Sequence, residues 1–307
     1  MNDLELHEFY ENLVRRLRSK GVLCAITGSL ACVHYGIAES TKDCDLLCHP
    51  ASFEKLLALL VRTKVEETPC QYRGNISPPL DARWHRGGWT SHFEWDAPAG
   101  KVKLDVFGHG LRESRPWAGD LLGFYAGPGT VAAMKRTNRD KDWPFVDSLG
   151  VRMIEAGNDE GWLHLFERDN LLRMLERHDC PDAVVRLRPS LKLAREKDSR
   201  LAGALLAERL LWEELDRVRV QMLERFLRPY VNAMRKASAG RKLSLPADHE
   251  LRVEIAAEHL PENPLADFGV EKYVAECRQN LVTGQIIHPD IARWLPDVGT
   301  YFNWLES

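Results

Sequence analysis

The sequence predicts an α/β (α+β) fold with a mixed β-sheet core and flanking helices, followed by a mainly α-helical C-terminal part. Up to about residue 110, short apolar or alternating segments typical of strands are interleaved with amphipathic helical segments. From about residue 130 onward, the hydrophobic periodicity is almost entirely helical. A chain of 307 residues is long enough for two domains, which we place at 1–150 and 151–307.

The first half begins with an amphipathic stripe of apolar residues that ends at Gly21. A wholly apolar segment then predicts a strand covered on both faces, and Gly28-Ser29 turns the chain into a short helix. The predicted elements of this half are a helix over 6–17, a strand over 22–27, a short helix over 30–36, a strand over 43–48, a helix over 51–63, and strands over 71–77, 92–95 and 101–110. The predicted helices of the second half cover 161–178, 182–198, 202–237 and 269–283.

Composition excludes several classes of protein. The net charge of −3 gives no overall attraction to nucleic acid, so any nucleic-acid site must be a local patch. The acidic N-terminal segment resembles neither a secretory signal nor a transit peptide, and no apolar stretch is long enough to span a membrane. Seven cysteines without a CxxC pair favour reduced thiols over structural zinc. These features predict a cytoplasmic protein that is not bound to a membrane.

Three carboxylates stand out in the first half. Asp43 and Asp45 are separated by one residue in TKDCDLL, so on a strand both side chains leave the same face. Asp105 lies in a second alternating segment, KVKLDVF, that could pair alongside. Carboxylates that converge on one sheet face repel each other, and a hard divalent cation relieves the repulsion. The pattern therefore predicts a metal site for Asp43, Asp45 and Asp105, with Mg²⁺ favoured and Mn²⁺ acceptable, and a phosphate-transfer reaction.

The order TGS, then DCD, then a later strand with LDV resembles the DNA polymerase β-like nucleotidyltransferase superfamily. The resemblance covers about residues 1–150 and implies a nucleotidyltransferase-type sheet core. It also implies transfer of a nucleoside monophosphate from an NTP to an acceptor hydroxyl. Gly28 would let the backbone approach the NTP phosphates, and the Ser29 hydroxyl and N–H would donate to them. Asp105 would lie on the nucleophile side, where it is the candidate general base.

The segment GTVAAMKRTNRDKDWPFVDSL strengthens this resemblance. AbiEii-type toxins and related minimal nucleotidyltransferases have a similar lysine-bearing helix followed by an R-x-K-D or R-D element. By this similarity, Lys135 and Arg139 would bind the nucleotide phosphates, and Asp142 would brace the basic residues. The RDKD element leaves the aspartate role open between Asp140 and Asp142. A toxin–antitoxin or phage-defence setting, with an antitoxin protein as partner, is compatible with this similarity.

The acceptor is not fixed by the sequence, and RNA, a protein hydroxyl and a small molecule stay open. Two basic segments of the helical half favour RNA, with a tRNA end as one candidate. Residues 184–200 contain six Arg or Lys against two acids, and residues 225–247 contain six and no acids. Such segments can bind the phosphates of a polyanion.

A second interpretation places the function in the helical half as a ribonuclease or a non-catalytic RNA-binding module. Arg173 and His178 have four residues between them, which is the spacing of the HEPN ribonuclease motif. In that chemistry the arginine stabilises phosphate and the histidine acts as acid or base. The spacing arises readily in an arginine-rich helix, so the nucleotidyltransferase is the leading hypothesis.

Overall fold

A computed structural model describes residues 3–41, 43–98, 100–110, 112 and 123–305. The strands are β1 (Cys24–Thr27), β2 (Asp43–Cys48), β3 (Lys64–Val65), β4 (Thr68–Pro69), β5 (Gln71–Tyr72), β6 (Thr90–Ala97) and β7 (Gly100–Phe107). The helices are α1 (Asp3–Arg18), α2 (Gly28–His34), α3 (Phe53–Leu60), α4 (Ala82–His85), α5 (Pro128–Met134), α6 (Trp143–Glu155), α7 (Arg168–Leu175), α8 (Asp182–Leu187), α9 (Ser190–Arg195), α10 (Leu201–Ser238), α11 (Leu245–His259), α12 (Pro264–Phe268), α13 (Val270–Thr283) and α14 (Pro289–Ala292). Short 3₁₀ helices cover Pro50–Ser52, Gly74–Ile76, Asp140–Asp142, Asp159–His164 and Gly299–Leu305.

The main sheet has five strands in the order β1-β2-β7-β6-β5. β2 and β7 are parallel, and the other neighbouring pairs are antiparallel, so the sheet is mixed. β3 and β4 form a separate two-stranded ribbon. The mixed sheet and the mainly helical second half confirm the predicted α/β (α+β) fold class. Among the helices that the structure describes, none is both long and apolar enough to cross a membrane.

One hydrophobic cluster extends from the sheet into the helical half. It includes Leu46 and Leu104 on β2 and β7, Leu211 and Trp212 on α10, and Tyr273 on α13, all almost fully buried. The main core therefore contains residues from both sides of the boundary predicted near 150. Burial of these apolar surfaces joins the sheet and the helical half into continuous packing.

Two kinds of predicted element differ from the structure. The strand predicted over 71–77 is limited to β5, because Gly74 has a φ of +60° and begins a 3₁₀ turn. The long helices predicted over 161–178 and 182–198 are each interrupted. Pro189, which lacks a backbone N–H, separates α8 from α9. Amphipathic periodicity continues across such breaks, so sequence patterns alone overestimate helix length.

The helical half contains a fully buried ion pair between Arg188 and Glu208. Arg188 Nε lies 2.9 Å from both carboxylate oxygens of Glu208, and Arg188 Nη1 donates to the carbonyl of Trp162 at 2.7 Å. Ser190 Oγ also donates to Glu208. The pair connects the segment between α8 and α9 to the start of the 38-residue helix α10.

We expect Glu208→Ala to lower the free energy of unfolding by about 3 kcal/mol or more, because it leaves the Arg188 charge buried without a partner. Urea unfolding would measure the loss. Glu213→Ala is the matched control on α10: its partner Arg209 is partly exposed, so the expected loss is below about 1 kcal/mol. Equal losses in the two variants would contradict a structural role for the buried pair.

Candidate active site

A cavity of about 500 Å³ opens where β2, β7, the start of α2, the segment after α5 and α10 meet. It brings together every sequence-predicted site residue except Asp142, which lies directly behind Lys135 and Arg139. The lining residues are Gly28, Ser29, Thr41, Asp43, Asp45, Asp105, Phe107, Arg112, Met134, Lys135, Thr137, Asn138, Arg139, Lys141, Asp216, Arg219 and Val220. The cavity therefore has acidic side chains on the sheet and basic side chains around them.

The acidic side follows from the register of two parallel strands. Asp45 on β2 lies directly opposite Asp105 on β7, and Asp43 lies opposite Lys103. Alternation along β2 puts Asp43 and Asp45 on the same face of the sheet. Asp43 is exposed, and its Oδ1 is 3.4 Å from Lys103 Nζ. The predicted convergence of three carboxylates at one sheet face is thus present in the structure.

The carboxyl group of Asp45 is only partly compensated by the nearby cations Lys135 and Arg139. Burial, and then the negative charge of Asp105, raise the pKa of Asp45 to about 7. No hydrogen bond or ion pair to this carboxyl group is found within the described part of the chain. Asp45 is therefore a carboxyl group that a cation in the cavity would stabilise in its charged form.

Asp105 has the opposite environment. Its Oδ1 accepts a hydrogen bond from Arg73 Nη2 at 2.8 Å, and His92 Nδ1 lies at the same distance. Burial alone would raise the pKa of Asp105, but the bonds and charges of His92 and Arg73 outweigh it and hold that pKa below its ordinary value. Asp105 is thus held ionised, with its hydrogen-bonded oxygen turned toward Arg73 and His92.

Gly28 permits the close approach of α2 to Asp45. Its φ is +64°, and a Cβ at this position would lie 1.8 Å from Asp45 Oδ2. Both the backbone conformation and the contact therefore require glycine. The TGS turn is fixed in part by the need to fit the Asp45 carboxyl group against backbone.

We expect Gly28→Ala to destabilise the protein and to displace the Asp45 side chain. Gly157→Ala is the matched control, because Gly157 also has positive φ, +78°, but has open space where the Cβ would be. The control should lose about 1–2 kcal/mol of unfolding free energy for the left-handed conformation alone, and Gly28→Ala clearly more. Chemical denaturation would compare the two. Similar losses would show that the contact with Asp45 contributes little.

The basic side of the cavity is centred on Lys135. Its buried Nζ donates to Ser29 Oγ at 2.9 Å and to Asp142 Oδ1 at 3.2 Å. Asp142 also accepts from Thr137 Oγ1 at 2.7 Å and pairs with Arg139 Nη2 at 2.6 Å. Burial opposes ionisation of Asp142, but Lys135, Thr137 and Arg139 outweigh it and lower the pKa of the carboxyl group. Asp142 thus braces two cations that line the cavity.

The structure adds detail to the prediction for this segment. The sequence predicts Lys135 within a helix, but α5 ends at Met134, and Lys135 is the residue that caps it. Asp140 is exposed and pairs with Arg209 of α10, whereas Asp142 is buried beside Lys135. Of the two aspartates that the sequence leaves open, only Asp142 contacts the cavity cations.

A third wall was not predicted from the sequence. Arg112, Asp216 and Arg219 also line the cavity. Asp216 accepts from Arg112 Nη1 at 2.8 Å, from Arg219 Nη2 at 3.0 Å and from the backbone N–H of Asn138 at 3.1 Å. Asp216 and Arg219 are three residues apart, so they share one face of a helix, but nothing in the sequence indicates that this face lines the same cavity as Asp105.

Without a bound substrate, the side chains of the cavity supply only part of the ligands that a hard divalent cation requires. Within the described residues, no group of three or more His, Cys, Asp and Glu side chains is arranged to hold a metal ion. Asp43 and Asp105 each form an ion pair, whereas Asp45 forms none within the described residues and is only partly offset by Lys135 and Arg139. Mg²⁺ is commonly bound through one or two carboxylates together with substrate phosphates, so Asp45 with Asp43 or Asp105 offers a suitable protein share of the ligands.

The residues of the alternative ribonuclease motif do not meet in one cavity. His178 follows the end of α7 and lines a separate cavity of about 720 Å³ in the helical half. Arg173 is exposed on α7, donates to Asn170 Oδ1 at 2.8 Å, and is not among the residues lining that cavity. The geometry therefore gives the pair no shared phosphate site.

Comparison of the chain with protein-family models, with curated proteins and with solved structures finds no match.

The crowding of carboxylates predicts a pH-dependent stability. Because the folded-state pKa of Asp45 is raised, the group favours folding at low pH, and this contribution is lost as the pH rises from about 4 through 7. An asparagine side chain cannot ionise. In metal-free buffer, Asp45→Asn should therefore raise the melting temperature relative to the unsubstituted protein, and by clearly more at pH 8 than at pH 5. A difference that does not depend on pH would contradict the crowding argument.

Proposed function

We propose that the protein is a metal-dependent nucleotidyltransferase that moves a nucleoside monophosphate from an NTP to an acceptor hydroxyl and releases pyrophosphate. One observation supports this above all others. A pair of carboxylates on adjacent parallel strands, with a third two residues away, lines the same cavity as the Ser29–Lys135 pair, and this cavity is large enough for a nucleotide. The proposal includes a nucleotidyltransferase-type core for the five-stranded sheet.

In this reaction, the acceptor oxygen forms a bond to the α-phosphorus as the bond from that phosphorus to the β-phosphate oxygen breaks. Lys135 and Arg139 would hold the phosphates, and Ser29, which accepts a hydrogen bond from Lys135, can donate its own hydroxyl proton to a phosphate oxygen. When bound, Mg²⁺ would screen the phosphate charge and lower the pKa of the attacking hydroxyl. Asp43, Asp45 and Asp105 are the residues that would hold it.

The environment of Asp105 favours a role as ligand over one as general base. Arg73 and His92 hold its pKa below the ordinary value, which makes the carboxylate a weak proton acceptor. Asp105 would orient the acceptor side of the site in its ionised form, and the hydroxyl proton would pass to solvent. This assignment differs from the one that the resemblance implied.

The two basic segments of the helical half differ in the structure, and the difference favours RNA as acceptor. In 184–200, Arg188, Arg195 and Arg200 pair with acidic residues of the fold. In 225–247, the basic side chains are exposed and form no ion pair with any described residue; they are Arg225, Arg228, Arg235, Lys236, Arg241 and Lys242. A polyanion such as RNA would compensate this second group. An antitoxin partner and a cytoplasmic location stay predictions from the sequence.

The proposal is tested by incubating the purified protein with Mg²⁺ and each α-³²P-labelled NTP, with and without total RNA. Label should appear in RNA, and Asp45→Asn and Asp105→Asn should lower the rate by at least about 1,000-fold because the substitutions remove ligands of the divalent cation that would stabilise the charge of the reacting phosphate. Asp140→Asn is the matched control, since Asp140 is exposed and lies outside the cavity; it should retain activity.

The outcome also identifies the acceptor. Label on the protein itself would identify a protein hydroxyl, and not RNA, as the acceptor. Equal transfer by the unsubstituted protein and Asp45→Asn would contradict the proposed site, and the absence of label from RNA, protein and added small molecules alike would contradict the proposed activity.

A further inference from the structure

The wall of the cavity formed by α10 contains two arginines that share one carboxylate. Asp216 accepts hydrogen bonds from both Arg112 and Arg219. Within the described residues, two guanidinium groups against a single carboxylate leave a positive charge uncompensated on this wall. Asn138 and Val220, which also line the cavity, are neutral.

The two arginines have different roles in the structure. Arg112 is almost fully buried, and its three nitrogens donate to the carbonyl of Ala133, to Asp216 and to the carbonyl of Met134. Burial, only partly offset by Asp216, lowers the pKa of Arg112 to about 10. Its donors are therefore engaged in holding α10 against the end of α5.

Several hydrogen-bond donors of Arg219 have no partner among the described residues. Its side chain keeps 17 % of its surface accessible, against 4 % for Arg112, and it lines the cavity. The only hydrogen bond that it makes with a described residue runs from Nη2 to Asp216. Its Nε is shielded from solvent and has no hydrogen-bond partner within the described ranges. A guanidinium group has five N–H donors, so most of those on Arg219 have no partner among the described residues and could bind a ligand.

The position of Arg219 indicates what such a ligand is. Asp216, which orients Arg219, also accepts from the backbone N–H of Asn138, in the segment that follows Lys135. Arg219 and Lys141 therefore lie on the same cavity as Lys135 and Arg139. With Arg112, five cations line this cavity, and such a set matches a ligand with several negative charges close together.

We propose that Arg219 binds the terminal phosphates of an oligophosphate, so that the helical half completes the phosphate site begun by Ser29 and Lys135. The inference rests on the proposed function in that the oligophosphate is the β,γ-diphosphate part of an NTP, which leaves as pyrophosphate. Asp216 and Arg112 act as positioning residues for Arg219.

Tripolyphosphate is the direct probe, because it contains no base or sugar and its binding needs no transfer. Its dissociation constant would be measured by calorimetry in Mg²⁺ buffer, beside those of the four α,β-methylene NTP analogues. Loss of charge-assisted hydrogen bonds predicts roughly 10- to 100-fold weaker binding of tripolyphosphate by Arg219→Ala, with smaller loss in Arg219→Lys. Thermal unfolding would confirm that both variants are folded, as expected because Asp216 keeps its bond to Arg112.

Arg217→Ala is the matched control. Arg217 lies two residues earlier on α10, points to a different side of the helix, and pairs with Glu214 at the surface. Its removal should leave tripolyphosphate affinity within about twofold. The comparison separates a specific contact of Arg219 from the general loss of a positive charge on α10.

The outcomes are distinguishable from those of the transfer assay. Equal affinity of tripolyphosphate for Arg219→Ala and the unsubstituted protein would overturn the inference, as would loss of affinity for the NTP analogues alone. Failure of the unsubstituted protein to bind tripolyphosphate would overturn it as well. Weaker binding in Arg219→Ala would support the phosphate site even if no labelled NTP were transferred, a result that would count only against the proposed reaction.

Discussion

The parallel pairing of β2 with β7 is the constraint on which the site depends. Neighbouring strands lie about 4.8 Å apart, so the register that puts Asp45 opposite Asp105 forces two carboxyl groups close together at the sheet face. The surrounding residues accommodate the two carboxyl groups and reduce their repulsion. Gly28 makes room for the Asp45 carboxyl group, while Arg73 and His92 neutralise Asp105. A slip of β2 by one residue would move Asp43 and Asp45 to the face opposite Asp105 and remove the site.

The helical half determines the position of both flanks of this site. On one flank, Tyr230 donates to the carbonyl of Ser77, and Arg252 donates to the carbonyls of Ser77 and Gly74, which fixes the segment that contains Arg73. On the other flank, Arg136 follows Lys135 directly and is fully buried in the helical half. Its Nη2 donates to the carbonyl of Leu163, and its guanidinium lies 4.7 Å from the ring centre of Trp212. Contacts with the helical half therefore fix the positions of the segments that contain Arg73 and Lys135.

The sequence predicted those parts of the structure that depend on local pattern. Alternation in DCDLLC and KVKLDVF located β2 and β7, and the spacing of Asp43 and Asp45 predicted their shared face. Contacts between distant segments could not be predicted from the sequence. Arg73 lies in a segment predicted as strand, and its approach to Asp105 depends on a 3₁₀ turn held by α10 and α11. Arg112 and Arg219 likewise reach the cavity only through tertiary packing, for which a single sequence contains no periodic signal.

The charged side chains are distributed asymmetrically around the cavity. Arg73 and His92 offset the carboxylate of Asp105 from the β6 side, and Lys103 offsets Asp43 at the exposed end. Asp45 forms no ion pair within the described residues; it lies against Gly28, and Lys135 and Arg139 only partly offset its charge. Negative charge therefore lies on the sheet side of the cavity next to α2, and the positive charge of Arg219 lies on the wall formed by α10. A ligand that brings a cation to Asp45 and an anion to Arg219 satisfies both at once, and a nucleoside triphosphate with its divalent cation is a ligand of that kind.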